Sequence, residues 1–212
     1  MHVSNLKEVA FRYRDKAAVA LLLLLLACLV RTGPTLGLRE PAEDLLDVLG
    51  LLIAASGHVL RVYALRHIGP YSRTTHHFGA RQLVKEGPYA VIRHPLYVGN
   101  WLIALGLCVI AQLRWLMLAG PFLAFLLYYL VALAEERHLV EQFGAEYLTY
   151  CEGTPRFVPR GLFRNRGRRT LSNPKGAYSV LRTKEYQAFL ATGACVSLIE
   201  LIKQLHRAGI LR

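Results

Sequence analysis

The stretch LYVGNWLIALGLCVIAQL (residues 96–113), followed by Arg114 and then WLMLAGPFLAFLLYYLVALA (residues 115–134), decides the fold of this chain. The first run holds eighteen residues without a charged side chain, and the second holds twenty. A helix rises about 1.5 Å per residue, so each run is long enough to cross the roughly 30 Å hydrocarbon core of a bilayer. The sequence therefore predicts a tight transmembrane hairpin over residues 96–134 that turns at Arg114.

Two polar clusters flank this hairpin. One combines GPY at residues 87–89 with RHPLYVG at residues 93–99, and the other is the pair Glu135-Glu136. Because the hairpin returns the chain to the membrane face where it began, both clusters should meet there. Neighbouring residues of a helix point about 100° apart, so one glutamate can face the site while the other faces solvent or a cation.

Composition places the rest of the chain in the membrane class as well. The chain has 212 residues, 54% of them apolar, and a mean hydropathy of +0.31. Further spans are predicted at Ala17–Val30 and Leu45–Leu65, which gives an all-α integral membrane protein with about four transmembrane helices plus interfacial helices. The basic, Leu-rich start also fits a signal peptide, but a signal anchor is favoured because more spans follow. The C-terminal helix, residues 184–207, has too short an apolar centre for a clear span and is predicted to be interfacial or to pack on a partner.

The distribution of lysine and arginine predicts the orientation. Residues 1–16 hold four of them, 31–44 two, 61–96 six, the turn one and 137–184 ten. Cytosolic segments of membrane proteins are enriched in these residues. The N-terminus, the second loop and the tail, and with them both polar clusters, are therefore predicted to be cytosolic.

The same reading divides the chain into two parts. Residues 1–160 form a transmembrane core whose cofactor region is 81–159, and residues 161–212 form a basic cytosolic tail with a C-terminal helix. Arginines between Arg156 and Arg169 alternate with apolar residues. Such a juxtamembrane basic run suits anionic lipid headgroups as its partner, and no nucleic acid is expected.

The residue types of the two clusters suggest a ligand. The prolines keep the backbone before the third span out of a helix, which leaves N–H and C=O groups available. Arg93 and His94 can hold an anionic group, Tyr89 and Tyr97 offer ring faces, and the glutamates can hold a cation. S-adenosylmethionine has an adenine ring, a carboxylate and two cations, and so fits this set. The plain alternative is that these residues are interfacial anchors that pair across the hairpin.

The order of the motifs adds a resemblance. GPY (87–89), RHPxYxG (93–99), a hairpin, Glu135-Glu136, FGxEYxxY (143–150) and RFVP (156–159) together resemble the isoprenylcysteine carboxyl methyltransferase and phospholipid methyltransferase superfamily. The resemblance covers about residues 81–159. It implies an integral membrane enzyme that uses S-adenosylmethionine without a Rossmann domain.

Carried over by motif position, the resemblance implies a set of cofactor-binding residues: Gln82, Leu83, Val84, Tyr89, His94, Pro95, Leu96, Tyr97 and Glu135. No catalytic residue is assigned, although Glu135, Glu136 and His94 are weak candidates. No metal site is predicted, since the adjacent pair His76-His77 in a loop is weak evidence for one.

The resemblance leaves the acceptor open. Val131 stands where the carboxyl methyltransferases have a substrate-binding arginine, and Arg81 stands where they often have histidine. The missing cation weakens the case for a prenylcysteine-like carboxylate, so a phospholipid amine or another small apolar nucleophile reached from the bilayer becomes equally plausible.

Two other functions stay in consideration. An NADPH-dependent membrane reductase of the sterol reductase type carries a similar RHPxY element, but the glutamate pair and the motif after it favour methyl transfer. A non-catalytic membrane protein such as a transporter would need ionisable residues near mid-membrane. His58 is predicted to be a helix-packing residue with a hydrogen-bonded partner, and the four widely spaced cysteines are predicted to be apolar fillers.

Overall fold

The computed structural model describes residues 2–37, 40–68, 82–159 and 185–211. Six α-helices occur in these ranges: α1 His2–Thr32, α2 Glu40–Ile68, α3 Pro95–Ala111, α4 Leu116–Phe143, α5 Ala145–Gly153 and α6 Glu185–Arg207. A single turn of 3-10 helix, Gly87–Ala90, precedes α3. The described residues contain no strand, which confirms the predicted all-α class.

Three of these helices, Pro41–Ile68, Leu116–Phe143 and Glu185–Arg207, are long and apolar enough to cross a membrane, and the apolar segments Ala18–Thr32 and α3 are shorter. Large apolar side chains on α4 point outwards; Leu118 is 80% exposed. An exposed apolar surface of this kind suits contact with lipid. The protein is therefore an integral membrane protein, as its composition predicts.

The predicted hairpin is formed by α3 and α4, and its turn contains Arg114. Gln112 ends α3 in the left-handed conformation, with φ of 54°. The backbone N–H of Arg114 donates to Oγ1 of Thr35 at 2.8 Å, and its guanidinium donates to the Thr35 carbonyl at 3.2 Å. These bonds join the turn to the end of α1, so the arginine lies away from both polar clusters.

The packing of α2 on α3 depends on glycines that oppose one another in two pairs. A Cβ atom on Gly106 would lie 2.5 Å from the carbonyl oxygen of Gly50, and one on Gly57 would lie 2.6 Å from that of Gly99. Neither position can hold a side chain without moving a backbone. In a bilayer no hydrophobic force drives helices together, so their association depends on close packing. Small residues permit that packing because they let two backbones approach each other. The antiparallel pair of α2 and α3 is therefore at least as important to the fold as the hairpin.

The C-terminal helix α6 packs on α3 and α1, and side-chain bonds link it along its length to α2. Glu185 at its start accepts hydrogen bonds from Arg61, and Lys203 near its end donates to Asp47. Arg61 and Asp47 lie toward opposite ends of α2, so the two helices are antiparallel over most of their length. The sequence predicted too short an apolar centre for a clear span, but α6 is long and apolar enough to cross a membrane, and it packs on helices of its own chain. That this helix lies at the interface stays a prediction.

The charged residues near the end of α6 belong to a polar group, here called the far-end cluster: Asp47, Gln112, Glu200 and Lys203. Lys203 is fully buried, and its ammonium group lies 2.8 Å from both Asp47 and Glu200. Gln112 donates to the Asp47 carboxylate at 2.9 Å. Beside the cluster, Arg207 pairs with Glu43. Charges that look unsuitable for a span are thus neutralised by acids on α2, which a helix-by-helix reading cannot detect.

The apolar core lies next to this cluster and is shared by α1, α3, α4 and α6. Its most buried side chains are Leu29, Ile110, Leu113 and Ile199, each at most 1% exposed. Burial of these aliphatic side chains stabilises the far half of the bundle beside the far-end cluster. The opposite end is left for polar residues, and it is there that the predicted site lies.

Candidate functional site

The two predicted clusters meet at the end of the hairpin opposite Arg114. The Tyr97 hydroxyl donates to the Glu135 carboxylate at 2.6 Å, and Nε2 of His94 lies 3.1 Å from Oε1 of Glu136. The hairpin brings these groups together because α3 begins at Pro95 and α4 passes the same level two residues after Ala134. The geometric prediction for the hairpin is therefore confirmed.

Glu136 is the centre of a buried group, here called the site-end cluster: Arg93, His94, Glu136 and Arg156. The carboxylate accepts from Arg93 at 2.9 Å and from Nε and Nη2 of Arg156 at 2.8–3.0 Å. Only 7% of Glu136 is exposed. Its hydrogen bonds raise the pKa of Arg156 above the usual value for arginine. Glu136 therefore organises the surrounding side chains and has little capacity left for a ligand.

Glu135, its neighbour, has a different environment. Its side chain is 35% exposed, and besides Tyr97 the carboxylate lies 3.7 Å from Nδ1 of His94. The His94 and Tyr97 rings are stacked, with centroids 5.5 Å apart. As the helical geometry predicts, one glutamate faces a cluster of cations and the other is accessible.

The segment after α5 closes one side of this region. The N–H groups of Arg93 and His94 donate to the carbonyls of Pro155 and Arg156 at 2.8 and 3.1 Å. The guanidinium of Arg93 also reaches the Thr154 carbonyl at 2.8 Å. The Phe157 ring lies against His94, with centroids 5.7 Å apart. Backbone pairing thus fixes the loop before α3, a function that the RFVP motif does not reveal from sequence.

The residues between Ala134 and Gly153 do not form one continuous helix. Gly144 has φ of 53° and separates α4 from α5. A positive φ favours glycine, which has no Cβ to clash with the backbone. The break lets α5 fold back, so that Tyr147 is buried and the Tyr150 hydroxyl donates to the Tyr89 carbonyl at 2.6 Å. Burial raises the pKa of Tyr150 and of Tyr147, so both hydroxyls stay neutral.

Tyr89 itself has an unusual side chain. Its ring is only 8% exposed, and its hydroxyl has no hydrogen-bond partner within the described part of the chain. Burial, with the nearby Glu135 charge, raises the pKa of this phenol, so it stays protonated. A buried polar group without a partner is rare in a protein interior and indicates a place where another molecule binds.

Comparison with known proteins points to the same part of the chain. Residues 46–146 match the family model described as phospholipid methyltransferase. The chain is 33% identical to the cobalt-zinc-cadmium resistance protein CzcN of Cupriavidus metallidurans, over 80% of this chain and 73% of that protein. The chain belongs to the isoprenylcysteine carboxyl methyltransferase and phospholipid methyltransferase superfamily.

Two further relatives match over shorter regions. The nickel-cobalt-cadmium resistance protein NccN of Alcaligenes xylosoxydans xylosoxydans is 40% identical over 40% of this chain and 39% of its own length. The protein-S-isoprenylcysteine O-methyltransferase of Schizosaccharomyces pombe is 34% identical over 52% of this chain and 45% of its own length. The match to these two relatives thus spans less than half of each.

The match to the superfamily's model ends just after α5 begins. It includes α2, α3, α4 and both polar clusters, whereas α1, α6 and the segment that carries Arg156 and Phe157 lie outside it. The superfamily region therefore provides the hairpin and the glutamate pair. Elements beyond it complete the site and, as described below, a cavity next to it.

The other residues of the predicted cofactor set differ in how deeply they are buried. Pro95 is buried and Leu96 half-buried in the first turn of α3, next to His94. Gln82 is exposed, and Leu83 and Val84 are half-buried, in the segment before the 3-10 turn. The contacts given above join His94, Tyr97 and Glu135, and the role of all nine residues in cofactor binding stays a prediction.

Three predictions concern residues that the structure does not describe: Arg81, the pair His76-His77, and the Arg-rich run beyond Pro159. Within the described ranges, no group of three or more His, Cys, Asp or Glu side chains is arranged to hold a metal ion. One cysteine differs from prediction: Cys151 accepts a hydrogen bond from Arg93 at 3.2 Å and so has a polar role.

Proposed function

We propose that this protein is an S-adenosylmethionine-dependent methyltransferase that acts on a lipophilic acceptor at the cytosolic membrane face. One observation carries the proposal. The hairpin places a half-exposed carboxylate, Glu135, beside a stacked histidine and tyrosine, and near the buried Tyr89 hydroxyl, which has no partner in the described ranges. Membership of a superfamily of membrane methyltransferases supports the same reaction.

The donor set suits the cofactor in its chemistry. The accessible carboxylate of Glu135 can attract the amino or sulfonium cation, and the unpartnered Tyr89 hydroxyl can bond to a polar atom of the nucleoside. The rings of His94 and Tyr97 offer a flat surface for adenine. Gln82, Leu83 and Val84 would add contacts from the segment before the turn, as the resemblance implies.

The cofactor supplies a methyl group on a sulfonium sulfur, which is activated for attack without further chemistry by the protein. The chain's own contribution is to hold the acceptor in line and to keep water out. The aromatic rings of Phe157, Phe125 and Tyr129 contact one another beside His94 and favour a partly dry site. Glu136 is committed to Arg93, Arg156 and His94, so the more accessible Glu135, with His94 beside it, is the better candidate where an acceptor must lose a proton.

The position of the charges supports the cytosolic orientation. Arg93 and Arg156 lie at the site end of the bundle, and the loops at that end carry most of the lysine and arginine residues. By the positive-inside rule this end faces the cytosol, where the cofactor is made. The Arg-rich run beyond residue 159 would then meet anionic lipid headgroups on the same side.

The proposal is tested by calorimetry on the purified full-length protein in detergent. S-adenosylhomocysteine should bind, and Glu135→Gln and Glu135→Ala should each weaken its affinity by about tenfold or more, because a charge-assisted contact is lost. The matched control is Glu141→Gln on the same helix, whose side chain is 76% exposed. Tight binding of NADPH without any response to S-adenosylhomocysteine would contradict the proposal and favour a reductase.

A further inference from the structure

A cavity of about 510 Å³ opens between α4, α5 and the two loops that contribute to the site-end cluster. Three arginines line it from three different segments: Arg93 before α3, Arg137 on α4 and Arg156 after α5. Glu136 also lines this cavity, whereas Glu135 and the other residues of the predicted cofactor set do not. The cavity therefore lies on the other side of Glu136 from the surface proposed for the cofactor.

The positive charges of this cavity are not all balanced. Arg93 and Arg156 share one carboxylate, that of Glu136, so one positive charge remains between them. Arg137 is exposed and forms no hydrogen bond or ion pair with another described residue. Glu141 is the other acid of the wall, but its side chain is 76% exposed, where water screens its charge. The cavity thus has a net positive charge and unused guanidinium donors, which suit a phosphate.

The cavity lies at the depth of the lipid headgroups. Arg137 follows Leu116, the first residue of α4, by about 32 Å of helix rise, which is close to the thickness of the hydrocarbon core. Apolar side chains on the wall are open to the surroundings: Leu148 is 52% exposed and Val140 is 37% exposed. A phosphate held here would therefore have apolar side chains beside it for an attached acyl chain. Anionic lipids make the cytoplasmic leaflet negative, and the site end is proposed to face that leaflet.

We infer that this cavity binds the phosphate of an anionic membrane lipid, with Arg137 as its unpaired cation and Arg93 and Arg156 as flanking donors. The inference goes beyond the proposed function and does not depend on methyl transfer. It concerns the described core and not the Arg-rich run beyond residue 159. A bound headgroup would join α4 to the segment after α5 and so hold one side of the site-end cluster. A soluble phosphate offers the same chemistry, but the apolar side chains of the wall favour the lipid.

The test is native mass spectrometry of the purified full-length protein in detergent, titrated with phosphatidylglycerol that has short acyl chains. A first molecule should bind more tightly than later ones, because the cavity is a single defined site. Phosphatidylcholine with the same chains should bind several-fold more weakly, because its headgroup has no net charge. Added salt should weaken the binding of phosphatidylglycerol, since part of the cavity is exposed. Equal affinity for the two lipids would overturn the inference.

A second titration distinguishes a lipid from a soluble phosphate. Glycerol phosphate carries the phosphate of the lipid headgroup without the acyl chains. It should bind about tenfold more weakly than phosphatidylglycerol or worse, because it cannot cover the apolar side chains of the wall. Equal affinity for glycerol phosphate and phosphatidylglycerol would overturn the lipid assignment and indicate a soluble phosphate ligand.

Variants of one exposed arginine make the test specific. Arg137→Gln should lower the affinity for phosphatidylglycerol by about 3- to 10-fold, the value of one partly exposed charge-assisted hydrogen bond, and Arg137→Lys should lower it less. The matched control is Arg66→Gln, which removes another exposed arginine in the last turn of α2, outside the cavity. No loss in Arg137→Gln would refute the site. An equal loss in Arg66→Gln would also refute it, because general attraction to surface charge would then explain the binding.

Measurements with S-adenosylhomocysteine separate this site from the proposed cofactor site. Arg137→Gln should bind S-adenosylhomocysteine with the parent affinity, and phosphatidylglycerol should not displace it. Competition between the two ligands would overturn the inference, because the cavity would then belong to the cofactor site. Failure of the unaltered protein to bind S-adenosylhomocysteine, with selective binding of phosphatidylglycerol intact, would refute the proposed function and leave the lipid site standing.

Discussion

Each end of the bundle pairs a carboxylate with buried or half-buried basic side chains, but the two ends differ in what remains accessible. In the far-end cluster Asp47 pairs with the fully buried Lys203 and with Gln112, and the cluster joins α2, α6 and the hairpin turn. In the site-end cluster Glu136 pairs with two arginines and contacts His94, and beside it stand the half-exposed Glu135 and the Tyr89 hydroxyl, which has no partner among the described residues. The same chemistry thus fixes a helix at one end and supports a ligand-binding surface at the other.

Glu136→Ala should produce the largest effect. Removal of this carboxylate leaves Arg93, His94 and Arg156 buried or half-buried without their common partner, at a cost of about 3–5 kcal/mol. The thermal unfolding midpoint in detergent should fall steeply. If Glu136→Ala melts like the parent protein, the site-end cluster does not organise this region.

Lys203→Met should be the next most damaging change, at about 3 kcal/mol, because it leaves the half-buried Asp47 without its cation. The double variant Asp47→Leu with Lys203→Met should recover most of the loss, since the carboxylate that then loses its cation, Glu200, is 32% exposed. For the single and the double variant alike, the affinity for S-adenosylhomocysteine should stay at the parent value in protein that remains folded. Selective loss of that affinity would show that the two ends are coupled.

Tyr89→Phe tests whether the site end of the bundle contacts the cofactor through this hydroxyl. The hydroxyl makes no hydrogen bond in the described structure, so its removal should change stability by about 0.5 kcal/mol or less. The affinity for S-adenosylhomocysteine should nevertheless fall by about 3- to 10-fold. A variant with unchanged affinity would mean that this hydroxyl does not face the cofactor. Tyr150→Phe, which removes a bond to the Tyr89 backbone, is the control for a purely structural effect.

Lys85→Ala should have the smallest effect. Lys85 pairs with Glu146 at 2.7 Å, but the two side chains are 40% and 58% exposed. Exposed ion pairs contribute about 0–1 kcal/mol because water and salt screen them. The melting midpoint and the cofactor affinity should both stay near the parent values. A large loss of affinity would extend the binding surface toward the segment before the 3-10 turn.

The sequence predicted the parts of the site that depend on one helix or one hairpin. Two charge-free runs around Arg114 were enough to predict that His94 and Tyr97 meet the glutamate pair, because helix length and a single turn determine that result. The different environments of Glu135 and Glu136 followed from their 100° separation, although only the structure revealed which of them faces the cations.

The features that the sequence did not predict either lack a repeating pattern or join residues far apart in the chain. Neither the break at Gly144 nor the pairing of residues 93–94 with 155–156 has a periodic signal. The opposed glycines of α2 and α3 do repeat at a spacing of seven residues, at 50 and 57 and at 99 and 106. That spacing was a usable signal for the closest helix pair.

By itself the sequence determined the membrane class, the hairpin, the superfamily motifs and the end of the bundle at which they meet, since these follow from local hydropathy, helix rise and motif order. Tertiary structure alone decided that α6 joins the bundle, that Glu136 is used internally, and that Thr192 is the partner of His58. A charge in a helix is favourable or unfavourable only through its partner. Lys203 and Arg61 have partners on other helices, and Glu136 has its partners on the loops before α3 and after α5.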